Sequence, residues 1–148
     1  MKHIRHYTAT LLVGCLALFA TSCDLETSGN GSLDGFWHLE RVDTLSTGTA
    51  LDLSTQRVFW AVQGKLLQVE NSDNDNMYFF TFEHSGNKLT LSNARANDRT
   101  HSDPEVTDAT VLAPFGINRI DEQFTVERLS DGHMVLATET LRLSFRKF

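Results

Sequence analysis

Cysteine is almost absent from this 148-residue chain: there are two, Cys15 and Cys23, and none follows residue 23. No disulfide can therefore staple residues 24–148, which must stand on an apolar core. Proline is as scarce, with two residues. No uncharged stretch reaches the roughly 20 apolar residues of a transmembrane helix. Basic residues number 13 against 19 acidic ones and gather into no stripe, which argues against nucleic acid as a partner. G-x-S-x-G, H-E-x-x-H, a phosphate loop and a paired-carboxylate motif are all missing, and His38, His84, His101 and His133 lie apart. No catalytic residue, metal or cofactor is expected.

What is present begins with a tripartite start. Lys2 and Arg5 precede an apolar stretch dominated by Leu11, Leu12, Val13, Leu16, Leu18 and Phe19, and small residues follow. That order is a signal peptide, expected to span residues 1–22. Ala20-Thr21-Ser22-Cys23 resembles the lipobox of bacterial lipoproteins, which implies cleavage after Ser22 and lipidation of Cys23. Leu12-Val13-Gly14-Cys15 fits the pattern formally better, but cleavage there would leave only Tyr7–Gly14 as apolar core and Leu16–Ala20 at a greasy mature N-terminus. The resemblance implies a palmitate-type anchor in the outer membrane of a Gram-negative cell. Asp24 and Glu26 resemble export signals that carry some lipoproteins to the outer leaflet, and both faces of that membrane stay open. Without Lys2 and Arg5, 11 basic residues face 19 acidic ones, a mature net charge of −8. Residues 23–34, rich in Gly, Ser and polar types, are expected to be the lipidated cysteine and a flexible tether.

Residues 35–148 suffice for one small domain. Strands are expected over 36–42, 57–62, 65–70, 77–83, 88–93, 124–129, 133–138 and 141–148, with hairpin turns at Gln63-Gly64, His84–Asn87 and Ser130–Gly132. Period two is clear in Tyr78/Phe80/Phe82 and in Leu141/Leu143/Phe145. Asp108–Gly116 has room for one helical turn. Short links favour antiparallel neighbours. The fold class is all-β: a single antiparallel up-and-down barrel of about eight strands, with a two-sheet sandwich as the alternative.

Gly35-Phe36-Trp37 at the start of the first strand and Leu141-Arg142-Leu143-Ser144-Phe145-Arg146-Lys147-Phe148 in the last resemble the lipocalin pattern. That resemblance implies that Trp37 plugs the barrel floor, that Gly35 turns the backbone in, and that Arg142 or Arg146 covers the indole. The chain lacks the T-D-Y motif and C-terminal helix of larger lipocalins, so a short, filled barrel stands beside a hollow one.

The remaining clusters are weighed by position. Asn71–Asn76 begins like a calcium loop but lacks its glycine and glutamate, so a hairpin turn is expected. Residues 97–108, with Asp98, His101, Asp103, Glu105 and Asp108, form the one long loop, at the rim where lids and contact surfaces sit. Trp60, Tyr78, Phe80, Phe82, Phe115 and Phe124 either line a ligand cavity or fill the core. Arg57 and Arg119 sit near strand starts as rim charges. These features point to a non-enzymatic envelope module that binds a small apolar or amphipathic molecule. The alternative is a module with a filled barrel whose surface contacts another envelope protein.

Overall fold

The computed structural model describes residues 28–148; the tripartite start, Cys23 and the first part of the expected tether lie outside the described residues. A 3-10 turn, η1 (Gly31–Leu33), leads into strands β1 (Gly35–Thr44), β2 (Thr49–Asp52), β3 (Val58–Gln63), β4 (Leu66–Asn71), β5 (Asn76–Ser85) and β6 (Lys88–Ala96). Two further 3-10 segments, η2 (Arg99–His101) and η3 (Ala109–Phe115), precede β7 (Glu122–Leu129), β8 (His133–Ala137) and β9 (Leu141–Lys147). From β3 to β9 each strand pairs antiparallel with the next, and β1 pairs with both β3 and β9. Eight strands thus close a barrel, which removes the sheet edges that invite mispairing.

The expected strands are found, with one addition. β2 follows β1 out of the barrel: Arg41–Thr44 pair with β2 on the edge where Gly35–His38 pair with β3. All four β2 residues are exposed, so no apolar face marks this strand in the sequence.

Strand β6 runs past its expected end. Leu89 and Leu91 point inward, Asn93 takes a left-handed conformation (φ 56°), and Ala94 is again buried. The pairing with β5 shifts register between Phe79 and Thr81, opposite this point. A bulge at Asn93 therefore restores the inward phase, where a turn-forming residue predicts a stop. The Asn71–Asn76 run is a hairpin turn, with Asn71 and Asn74 accepting the backbone N–H groups of Asp73 and Asn76.

One end of the barrel carries η1 and the β3–β4, β5–β6 and β7–β8 hairpins; we call it the floor. The other, the mouth, carries the β1–β2, β4–β5 and β8–β9 turns and the 97–121 connection. Residues 28–34, expected as tether, are packed on the floor instead. Leu33 has no exposed surface, Asn30 Nδ2 donates to the Gly64 carbonyl at 2.7 Å, and Ser32 Oγ donates to Asp131 at 2.8 Å. A single leucine in a polar run gives a weak sequence signal, and only the closed floor provides its partners.

Candidate functional site: a packed interior and a polar cleft at the mouth

Trp37 closes the floor, as the G-x-W resemblance implies. It has no exposed surface, and its Nε1–H donates to the Leu33 carbonyl at 2.8 Å. The cation over the ring is Lys147, not Arg142 or Arg146: its Nζ lies 4.7 Å from the ring centroid and donates to the Ser32 carbonyl at 3.0 Å. Strand parity is the reason. Leu143 and Phe145 are buried, so Lys147 continues their inward face, while Arg142 and Arg146 point outward. Arg142 forks onto Glu127 at 2.7 and 3.1 Å and Arg146 donates to Glu40 at 2.6 Å. The hydrogen bonds from Arg142 hold the Glu127 carboxyl below the usual range and raise Arg142 in turn. Gly35 has φ 133°, and a Cβ there would lie 2.7 Å from Lys147 Cε, so glycine leaves room for the lysine to cross.

The aromatic candidates for a ligand cavity are core residues. Trp60, Phe80 and Phe124 are 0%, 1% and 0% exposed, and Tyr78 and Phe82 pack against them half-buried. Trp60 meets Phe124 and Phe145 edge-on, with centroids 5.7 and 5.1 Å apart. Over the mouth, the 106–117 segment turns Val106, Leu112, Phe115 and Ile117 inward. Phe115 meets Tyr78 edge-on, and its carbonyl accepts the Trp60 Nε1–H at 3.2 Å. Asp108 caps η3 by accepting from Thr110 N and Oγ1, which holds its carboxyl below the usual range. Gly116 ends η3 at φ 80°, against Leu143.

Beside this cap a cleft of about 390 Å³ wraps the rim between the start of β7 and the β8–β9 turn. Asn118, Arg119, Glu122, Gln123 and Thr125 line one side and Ala137–Thr140 the other. Glu122 shares the inward face of Phe124 and is 6% exposed. Its Oε2 accepts the Asn118 backbone N–H at 3.0 Å. No described residue bonds Oε1, and none of the ion pairs among the described residues uses Arg119. Of the two rim arginines expected from sequence, Arg119 reaches this cleft. Arg57 lies at the β4–β5 turn, its backbone N–H donating to Asp73. Sequence reading missed Glu122, Leu33 and Lys147; the phase of Phe124 and of Phe145 would have marked the first and last.

The loop chemistry is local. His101 Nδ1 lies 2.6 Å from Asp98 Oδ2 and 3.0 Å from Thr100 Oγ1. Both contacts fall on one ring nitrogen, so aspartate, histidine and hydroxyl form no relay. Asp98 serves as the cap of η2, and the Thr100 and then His101 hydrogen bonds hold its carboxyl below the usual carboxylate range. His38 is buried on the outer wall, its Nε2–H donating to the Gln56 carbonyl at 2.8 Å, beside a stacked Phe36–Phe59 pair with centroids 4.6 Å apart.

The sequence model of a family described as lipocalin-like domain matches residues 16–148. A crystal structure of a lipocalin-like protein from Bacteroides uniformis superposes with a TM-score of 0.62 at 23% identity, covering 80% of this chain and 100% of that one. An uncharacterized protein from Bacteroides eggerthii superposes with a TM-score of 0.58 at 18% identity, covering 78% and 98% respectively. At these identities the likeness is one of fold. No curated protein matches the chain.

Proposed function

Because this chain belongs to the lipocalin-like domain family, we propose that it is a non-enzymatic binding module of the cell envelope, held by a lipid on Cys23, that engages its partner at the barrel mouth. The carrying observation is the interior: the side chains that would line a cup are packed against one another and under the 106–117 cap. A small apolar guest would have to displace core rings, each about as costly to remove as a Phe→Ala cavity, roughly 3–5 kcal/mol. The mouth, by contrast, offers the polar cleft and the 97–108 loop to solvent. The lipobox resemblance supports the anchor and the envelope setting, and the absent catalytic motifs support binding over chemistry.

Native mass spectrometry of a secreted Cys23→Ala form tests this reading. The expected mass is that of the polypeptide alone. A lipid-sized companion that leaves only on denaturation would restore the hollow barrel and overturn the mouth as the binding surface.

A further inference from the structure

We infer that the floor of the barrel, with the outer wall beside it, is a docking surface for an anionic lipid bilayer, so that the mouth points away from the membrane. The inference rests on the lipid anchor proposed at Cys23 and adds to it the face that the domain turns to the bilayer.

The reach of the chain comes first. Residues 28–34 are fixed to the floor, with Leu33 buried, Asn30 bonded to Gly64 and Ser32 bonded to Asp131. Only residues 24–27 separate Ser28 from Cys23, and a fully extended chain spans at most about 17 Å over that interval. A tether running to residue 34 would leave the domain free to turn. One that ends at Ser28 brings the floor, not the mouth, to the lipid surface.

The chemistry of that end fits a bilayer. All three lysines among the described residues lie there. Lys65 in the β3–β4 hairpin and Lys88 at the β5–β6 hairpin are exposed, and Lys147 crosses Trp37. Asp34 and Asp131 at this end already accept from Asn30 and Ser32, and exposed Glu83 and Arg128, just above their hairpins, offset each other. The mouth is the reverse. Its β4–β5 turn and 97–121 connection hold seven acids against two arginines, which an anionic head-group layer repels. On the wall beside the floor, Phe148 is 76% exposed, its ring edge-on to Phe36 and Phe59 with centroids 6.1 and 5.5 Å apart, and Leu66 is 48% exposed. Leu45, Leu51 and Val111 are exposed as well, but at the mouth, among the acids. Apolar side chains flanked by lysines suit the head-group boundary, where rings enter the acyl region and ammonium groups meet phosphate.

The test uses the mature lipidated protein in vesicles of phosphatidylethanolamine and phosphatidylglycerol that carry a head-group spin label. With Cys23 acylated and Cys15 removed with the signal peptide, one introduced cysteine is the sole thiol. Asn87→Cys reports the floor and Ser46→Cys the mouth, each carrying the same fluorophore. Quenching should be several-fold stronger at the floor. Lys65→Ala with Lys88→Ala should lower the docked-to-undocked ratio about fivefold per lysine. Floor quenching should then fall toward that at the mouth, while the protein still floats with the vesicles on its acyl chains. Leu66→Ser with Phe148→Ser should act in the same direction. Equal quenching at the two ends, stronger quenching at the mouth, or a floor preference indifferent to both pairs would each overturn the docking surface and leave the anchor standing. A mature protein without acyl mass on Cys23, read by mass spectrometry, would overturn the anchor and the docking with it.

Discussion

Trp37 holds the floor because both its ring and its N–H are satisfied, the one beneath Lys147 and the other by the Leu33 carbonyl. Emptying it should cost about 3–5 kcal/mol, a large share of the roughly 5–15 kcal/mol that holds a small domain together. Trp37→Ala is therefore expected to be largely unfolded at growth temperature. Lys147→Ala should lose about 0.5–2 kcal/mol and melt a few degrees lower. Arg142→Ala and Arg146→Ala remove exposed pairs worth about 0–1 kcal/mol. Thermal unfolding followed by circular dichroism ranks the variants, and an Arg146→Ala protein less stable than Lys147→Ala would refute this account of the floor. The plug was legible in three letters, Gly35-Phe36-Trp37. Its cover was not, because the lipocalin resemblance implies an arginine where strand parity favours a lysine.

At the scale of elements, the cap over 106–117 decides whether the barrel is a cup. Phe115→Ala removes its largest inward ring, which should destabilise by about 3–5 kcal/mol and open an apolar void. The variant should gain fluorescence with 1-anilinonaphthalene-8-sulfonate in native buffer, where the parent stays dark. A parent that binds the dye as strongly would mean that its core is already open. The two 3-10 turns should also respond to acid. Asp98 and Asp108 titrate lower folded than unfolded, so their stabilisation is complete above the usual carboxylate value of about 4 and disappears as pH falls through the lowered ones. Protection of the Thr100 and Thr110 amides, relative to their intrinsic exchange at each pH, should fall below about pH 4 while β-sheet amides stay protected. Loosening that begins near neutrality would assign it to other groups. The strands themselves were readable from alternation, except exposed β2 and the bulged end of β6, where pattern and pairing part.

For the whole molecule, the membrane reading rests on Cys23. On the proposed lipidation, Cys23→Ala should shift the protein from the membrane to the soluble fraction, since acyl chains on that cysteine would supply the anchoring energy, about 0.8 kcal/mol per buried CH₂. Fractionation and immunoblotting check it; release by Cys15→Ala instead would move the cleavage site to the earlier cysteine. Proteolysis of intact cells with an impermeant protease decides the face. Digestion before lysis places the domain outside, and full protection until the outer membrane is opened places it inside.

Sequence alone determined the all-β class, the eight-strand count and the tryptophan at the strand start. Each is written in local order, through a period of two or a motif at a strand start. Tertiary structure decided that Trp60, Phe80 and Phe124 fill the barrel, that residues 28–34 belong to its floor, and that Glu122 meets Arg119 and the β8–β9 turn in one cleft. An inward phase looks the same in sequence whether the space it faces is full or empty. Barrel closure, and the 106–117 segment folding over the mouth, set that difference.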